Sequence, residues 1–298
     1  MKTDKFLAAT FGLATVITLL FTSCRKDNKN NDDTDISSVS DSNLAEHYSN
    51  DIVSIAAECS DEGTTTSYRI GNNEQTLSGS ATVATDSINK IITVTFNGGV
   101  CIDGRTRSGT LTINYSSSTL GARHYRDPGF SCSVASTNYV VDGNQVNIIN
   151  KSISNTTPTG FDPAVTNLTW NISADIHIVK SGNGGTFTWT CDHTETLLNT
   201  STLYHGSSSP IPWTIARIAI GGSSLGITTT GESFSATIST ALIRDFGQCN
   251  IGGKHPFIQG TMDFIPSSKS TRHIDFGNGA CDNTATVTIN SQTYTVSL

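Results

Sequence analysis

The stretch that decides the fold reads Tyr-Val-Val-Asp-Gly-Asn-Gln-Val-Asn-Ile at residues 139–148. Two runs of strand-forming residues flank Asp142-Gly143-Asn144, and an Asp-Gly pair between such runs is a strong signal for a β-hairpin. Asn290-Ser291 near the C-terminal end is a weaker signal of the same kind. The sequence therefore predicts antiparallel strands joined by tight turns.

The same alternation extends outward from this hairpin, for example at residues 92–96, 111–115 and 186–189. No segment between these runs is long enough for a crossover helix, so antiparallel connections are expected throughout. We predict an all-β fold with one large antiparallel sheet domain, and a sandwich is the first choice. The alternative is a curved half-barrel with a helix against its concave face, which would bring a lipid-binding cavity with it.

One N-terminal helix is predicted over residues 44–59, with Asn43 as its cap and Glu46 three residues on. Its apolar residues recur at helical spacing, as a core-facing stripe does: Leu44, Tyr48, Ile52, Ile55 and Cys59.

The N-terminal segment has the layout of a secretory signal peptide, because Lys2 and Lys5 precede an apolar run over residues 6–21. The run closes with Phe-Thr-Ser before Cys24, which resembles the lipobox of bacterial lipoproteins, although leucine is usual at the position of the phenylalanine. We predict a signal peptide over 1–23 and a membrane anchor through lipid on Cys24.

Residues 24–41 are rich in charged residues and asparagine, and this predicts a flexible tether. The β domain is then expected over 42–298. The expected location is the outer membrane, with the domain on the cell surface or on the periplasmic face.

The charge balance argues against nucleic acid as a partner. The formal net charge is −7, and loss of Lys2, Asp4 and Lys5 with the signal peptide leaves −8. Charged residues make up only 14% of the chain, against about 25% in typical domains. Ser, Thr, Asn and Gly fill the difference, which is typical of exported β-proteins.

Six cysteines follow Cys24, and an even number outside the cytoplasm favours disulfides. They are Cys59, Cys101, Cys132, Cys191, Cys249 and Cys281. Cys249 with Cys281 is the best single pair, because strands on either side of a turn at 267–270 bring the two together. The sequence has no C-x-x-C pair, which argues against a zinc knuckle or a thioredoxin-like redox site.

Two distant parts of the chain contain the same sequence pattern, so the chain has an internal repeat. Residues 96–104 and the strand at 109–114 parallel residues 276–283 and the strand at 286–290. Each copy reads strand, glycine-rich turn, Cys and Asp, then strand. This pattern favours two related halves that meet near residue 160, while two clear copies are too few for a solenoid.

The two motifs of this repeat carry a resemblance. Cys-x-Asp-Gly-Arg-x-Arg-Ser-Gly at 101–109, Gly-x-Cys-Asp-Asn at 279–283 and the final Thr-Tyr-Thr-Val at 293–296 resemble a group of uncharacterised Bacteroidetes lipoproteins. The resemblance covers most of the chain after the tether. It implies an envelope protein of β type and brings no activity with it.

The charged residues of the first motif have two interpretations. Asp103, Arg105 and Arg107 could present two guanidinium groups to a carboxylate or sulfated ligand. Alternatively, the arginines pair with Asp275 or Asp282 of the second motif. We favour the structural ion pairs, because matched motifs of opposite charge meet naturally across a sheet.

Two further patterns have ordinary explanations. Residues 222–226 fit G-x-S-x-G, but a β-branched run follows and no helix can begin there, so we predict a loop between strands. Cys191, His193 and Glu195 share one face of a strand and, with His205, could bind a metal. We instead expect a disulfide for Cys191 and a solvated face for the others, with no metal site.

Trp170, Trp189 and Trp213 would offer stacking platforms for sugars if they were exposed, and burial in a β core is the ordinary case.

No acid, base and nucleophile converge in the sequence, so no catalytic residue is assigned and no cofactor is expected. The Ser/Thr/Asn-rich strands favour a non-catalytic envelope protein that binds a glycan or protein partner or has a structural role. The alternatives are a glycan-acting hydrolase with carboxylates from distant strands, such as Asp103 and Asp282, and a periplasmic lipid-binding protein.

Overall fold

The computed structural model describes residue 33 and residues 36–62, 81–101, 103–251 and 255–297. The predicted signal peptide, Cys24 and most of the predicted tether lie outside these ranges. Within them, no helix is both long and apolar enough to cross a membrane.

The described residues form one long helix, thirteen strands and two short helical turns. Helix α1 spans Ser37–Glu62, α2 spans Thr200–Leu203, and a 3₁₀ turn spans Trp213–Ile215. The strands are β1 Ala81–Asp86, β2 Ile91–Val100, β3 Thr106–Asn114, β4 Ser131–Val141, β5 Asn144–Asn155, β6 Thr169–Val179, β7 Thr186–Leu197, β8 Arg217–Ile227, β9 Ser233–Asp245, β10 Gln259–Pro266, β11 Arg272–Asn278, β12 Thr284–Ile289 and β13 Gln292–Ser297.

The strands form a single antiparallel sheet in sequence order, from β1 at one edge to β13 at the other. The prediction of an all-β domain with one N-terminal helix is confirmed. The strands do not divide into the two packed sheets of a sandwich, because each pairs with its neighbours in sequence and α1 occupies the face where a second sheet would pack. The arrangement matches the alternative, an open curved sheet with a helix on its inner face.

Helix α1 is longer than the sequence indicates, and none of its residues from Asp41 to Asp61 is exposed. It begins at Ser37 rather than Leu44, so Asn43 lies inside the helix instead of capping it, and the folded part begins within the predicted tether. The apolar stripe is a core face as expected, but the opposite face is also buried and carries polar residues such as Glu46 and Asp51. The sheet therefore curls around the helix.

The contacts of α1 show how far this enclosure extends. The hydroxyl of Tyr48 donates to the carbonyl of Val141 in β4 at 3.3 Å. Asp41 binds Lys180, which follows β6, at 2.9 Å, and the His47 ring stacks on Phe257 ahead of β10.

Glycine-containing bulges bend the strands around the helix. The pairing register shifts around Gly222 in β8 and Gly260 in β10, where both glycines have positive φ. A side chain at Gly222 would lie 2.2 Å from the carbonyl oxygen of Asp192, and one at Gly260 would lie 2.3 Å from that of Ala241. Only glycine fits at these positions, and bulges of this kind increase the local twist and bend of a strand.

The predicted turns and the predicted disulfide are confirmed. Asp142-Gly143 and Asn290-Ser291 both form two-residue turns with positive φ, which matches the twist of antiparallel strands. Cys249 and Cys281 form a disulfide with 5.2 Å between their Cα atoms. Cys59, Cys101, Cys132 and Cys191 are buried thiols, so the expectation of further disulfides fails for these four.

The sheet is uninterrupted near residue 160, because β5 pairs with β6 from Gln145 opposite Val179 to Asn155 opposite Trp170. The described residues all belong to one compact unit. The repeated motifs occupy hairpins near the two ends of the sheet, β2–β3 and β11–β12.

Candidate functional sites

Arg107 of the first motif is buried between two carboxylates. Its guanidinium donates to both oxygens of Asp51 on α1 at 2.8 Å and to the two oxygens of Asp103 at 2.8 and 2.5 Å. Burial alone would lower the pKa of Arg107, but the two carboxylates outweigh it and hold the pKa well above its ordinary value. Because these acids occupy the guanidinium, Arg107 has a structural role and cannot present its fork to a ligand.

Arg105 makes a separate ion pair in the same hairpin. Its guanidinium lies 3.1 Å from the carboxylate of Asp142, which also accepts from the backbone N–H of Thr106. The side chain of Asp142 is about one third exposed, so this pair is only partly shielded from water.

The expected pairing with the second motif is wrong. Asp275 accepts from the backbone N–H of Gly277, and Asp282 accepts from that of Thr284, so both stabilise local turns. Strands β4 to β10 lie between the two hairpins in the sheet. The two motifs do not form the expected ion pairs: Arg107 pairs with Asp51 of α1 and with Asp103, and Arg105 pairs with Asp142 in the turn between β4 and β5.

A second set of buried ionisable residues lies between α1 and the inner face of β5 and β7. We call it the inner polar cluster, and it consists of Glu46, Lys151, Cys191, His193 and Glu195. The last three share one strand face as the sequence predicts, but that face is buried against α1 and is not solvated. Cys191 is a thiol, so its predicted disulfide is also wrong.

Burial dominates the electrostatics of the inner polar cluster. It raises the pKa of Glu46 to about 8 and that of Glu195 to about 7, and it lowers the pKa of His193 to about 4. Lys151 donates to the hydroxyl of Ser49 at 2.8 Å. The charged forms of Glu46, His193 and Glu195 would lie in a place without water. Burial therefore shifts each of the three toward its neutral form.

The cluster resembles a catalytic constellation in its residue types but not in its accessibility. His193 Nε2 lies 3.6 Å from Glu46, and Ser224, the serine of the G-x-S-x-G pattern, is on the inner face of the adjacent strand. Ser224 is only 2% exposed, and its pattern lies within β8 rather than in the predicted loop. Glu46, His193 and Ser224 are all buried and form no open active site, so the nucleophile interpretation fails.

In the part of the chain that the structure describes, no group of three His, Cys, Asp or Glu side chains is placed to hold an ion. His205 is exposed after α2, so it does not complete a site with Cys191, His193 and Glu195.

The outer face of the central strands carries two adjoining hollows of about 240 and 230 Å³. Both are bounded by Ser173 and Asp192. We call them together the serine trough, whose outward-facing residues are Asn150, Ser152, Ser154, Asn171, Ser173, Asp175, Thr190, Asp192, Thr194, Ser223 and Leu225.

The strand register explains the serine trough. Ser152 pairs with Ser173, Ser173 with Asp192, and Asp192 with Ser223. Serine is short, so a row of such residues across neighbouring strands leaves a depression between the larger side chains beside it. The alternation of each strand keeps these polar groups outside and the apolar core inside.

Trp170 and Trp189 are fully buried, as in an ordinary β core, and Trp213 is half-buried. The first two are therefore not exposed stacking platforms for a sugar.

Comparison with known proteins gives no further guide: no family model, no curated protein and no solved structure matches this chain.

Proposed function

We propose that this protein is a lipid-anchored envelope protein that binds a neutral glycan along the serine trough without transforming it. The observation that supports this proposal is the trough itself, two adjoining polar hollows on the outer face of the central strands.

The chemistry of the trough suits a polyhydroxylated ligand. Serine and threonine hydroxyls both donate and accept, Asn171 adds an amide, and Asp192 adds acceptors. Leu225 is 57% exposed at one side and would cover an apolar patch of a sugar ring. Such a surface can match alternating hydroxyl and C–H groups along a polymer.

The negative charge of the serine trough narrows the class of glycan that it can bind. Asp175 and Asp192 both face the trough, and the chain is strongly acidic. A sulfated or uronic-acid polymer would be repelled. Since Arg107 is already occupied by Asp51 and Asp103, we infer a neutral polysaccharide rather than the acidic ligand that the two arginines suggested.

The interior favours this proposal over lipid carriage. Helix α1 fills the concave side of the sheet. The pocket between the sheet and the C-terminal half of α1 has a free volume of only about 20 Å³. Lipid-binding pockets need room of several hundred Å³.

The test is binding of the folded chain to neutral and acidic polysaccharides in affinity electrophoresis, with Ser173→Tyr as the blocking variant. Tyr at this position fills the trough, and we expect retardation by the neutral polymer to be lost while the melting temperature is kept. Thr95→Tyr is the matched control, because Thr95 is exposed on the same face in β2, away from the trough. Equal retardation of the two variants would contradict the proposal.

A glycan hydrolase is the second candidate, and one observation favours it. Asp175 pairs with Thr190, so it is the diagonal neighbour of Asp192, and diagonal residues lie about 7–8 Å apart. At this residue spacing the two carboxyl groups can reach the separation of carboxylate pairs in glycosidases, about 5–9.5 Å. Release of reducing ends from a bound polymer, abolished by Asp192→Asn, would establish this activity, whereas binding without release would leave the non-catalytic proposal standing.

The anchor is tested separately by protease shaving of intact cells, with Cys24→Ala as control. Release of peptides from the β domain in wild type, together with a soluble Cys24→Ala protein, is expected for a surface lipoprotein. Protection until the outer membrane is opened would place the domain in the periplasm, and a membrane-bound Cys24→Ala protein would contradict the lipid anchor.

A further inference from the structure

A small pocket lies on the inner side of the sheet, against the C-terminal half of α1. Its free volume is about 20 Å³, enough for one group the size of a water molecule. Among the described residues that line it, only Ser54 and Trp213 are not fully buried, so we place the opening of the pocket between them.

Three aromatic rings form the wall of this pocket. Tyr125 stacks on Trp170 with 4.7 Å between ring centres, and Trp213 meets Tyr125 edge-on at 5.6 Å. Both indole N–H groups are already used, one by the carbonyl of Tyr125 and the other by Asp61. The two indole rings therefore offer their π-faces, and not hydrogen-bond donors, to whatever enters, while Tyr125 adds its ring and its hydroxyl.

Glu195 provides a carboxylate in the same pocket. Its side chain comes from the inner face of β7 and is 6% exposed. Among the described residues this carboxylate makes no hydrogen bond and no ion pair within 4 Å, although Arg244 and Lys151 act on it from a distance. The carboxylate oxygens therefore remain available to accept hydrogen bonds from a ligand in the pocket.

Two carboxyl groups and one guanidinium line the pocket, those of Glu58, Glu195 and Arg244. Arg244 is held in place, because its Nε donates to the carbonyl of His255 and its guanidinium lies over the Phe246 ring. An ionised Glu195 can therefore hold a monovalent cation on the side of the pocket that Arg244 does not occupy.

We propose that this pocket binds the ammonium head of a small primary amine, with Glu195 as its counter-ion and hydrogen-bond acceptor and with Tyr125, Trp170 and Trp213 as its aromatic wall. An ammonium group fits the free volume, donates to the carboxylate and is attracted to aromatic faces. A longer amine would leave through the opening between Ser54 and Trp213. This site is independent of the serine trough, which lies on the opposite face of the sheet.

The test is titration of the folded chain with methylammonium chloride at pH 8.5, followed by tryptophan fluorescence and calorimetry. Burial raises the pKa of Glu195 to about 7, so its carboxylate is ionised at this pH. We expect saturable binding in wild type and at least about tenfold weaker binding in Glu195→Gln, because a desolvated charge pair is removed without a change of shape. Sodium chloride at equal ionic strength and methanol, a neutral probe of similar size, are expected to give no saturable change.

Trp213→Leu keeps the test decisive if Glu195→Gln fails to fold, because Trp213 is half-buried at the opening. Binding is expected to weaken about tenfold in this variant. Trp189→Phe is the matched control, since Trp189 lies outside the pocket lining, and it should bind as wild type does. No binding in wild type, equal binding in wild type and Glu195→Gln, or equal responses to methanol and methylammonium would each overturn the proposal.

Discussion

The two repeated hairpins have similar sequences and different roles. In β2–β3, Cys101 is a buried thiol, and Asp103 joins Arg107 in an ion-pair network with helix α1. In β11–β12, Cys281 forms a disulfide and Asp282 is an exposed residue of a turn.

The difference comes from what lies beside each hairpin. The first hairpin faces α1, which supplies the carboxylate of Asp51. The ion pair between Arg107 and Asp51 is shielded from water. The second lies next to the β9–β10 connection, which supplies Cys249. A repeated motif therefore fixes a hairpin shape, while its chemistry depends on the neighbour that the fold provides.

Replacing Arg107 is expected to have the largest effect. Arg107→Met leaves Asp51 and Asp103 buried without their cation, and the free energy of unfolding should fall by about 3–5 kcal/mol. Urea unfolding measures this loss. Arg105→Met is the control, because its pair with Asp142 is partly exposed and such pairs contribute below about 1 kcal/mol. Similar losses in the two variants would mean that burial does not distinguish the two arginines.

Removal of the disulfide tests the second hairpin. The combined change Cys249→Ala and Cys281→Ala opens a loop of 32 residues, and we expect the free energy of unfolding to fall by about 2–4 kcal/mol. Reducing agent should destabilise wild type and leave the double variant unchanged. Cys101→Ala is the control at the equivalent position of the first hairpin, and a reductant effect that persists in the double variant would refute the assignment.

Glu46 extends the comparison to a buried acid that has no guanidinium partner. Its pKa is raised from 4.5 to about 8, mainly by burial, so the folded state binds the proton more tightly than the unfolded state. The stability that this proton provides is complete below pH 4.5 and is lost as the pH rises through 8. Glu46→Gln cannot ionise, so it should match wild type at pH 4.5 and exceed it by about 2 kcal/mol or more at pH 9.

Unfolding in urea at several pH values measures this difference. Glu232→Gln is the control of opposite sign: although burial acts to raise the pKa of Glu232, hydrogen bonds from Ser268 and Lys269 lower it. Relative to wild type, that variant should lose stability as the pH rises to 4.5, and the difference should stay constant above pH 4.5. A Glu46→Gln difference that does not change with pH would show that Glu46 is ionised in the folded protein.

The smallest effect is expected at the acid of the second motif. Asp282→Ala removes one exposed acceptor for the backbone N–H of Thr284, a change of about 0.5 kcal/mol. Asp103→Ala, at the corresponding position of the first motif, removes a buried partner of Arg107 and should cost several times more in the same thermal unfolding experiment. Equal costs would mean that the two hairpins are equivalent after all.

The parts of the two candidate sites that depend on alternation along one strand were predictable from the sequence. The shared face of Cys191, His193 and Glu195 follows from their spacing, and the polar outer face follows from Ser/Thr/Asn-rich strands. Lys151 was not predictable in this way. The register of β5 shifts between Ile148 and Asn150, and this bulge turns Lys151 from the outer face to the inner one.

The sequence by itself determined the local structure: the two-residue turns, the alternating strands, a helix near the N-terminal end and the pairing of Cys249 with Cys281 across one turn. These features depend on residues close together in the chain, whose φ/ψ preferences and side-chain spacing are set locally. The tertiary structure alone decided that α1 has no exposed residue from Asp41 to Asp61, that Arg107 pairs with Asp51, and that Glu195 faces an aromatic pocket. These depend on which distant residues exclude water from each other, and a linear pattern of residues does not specify that.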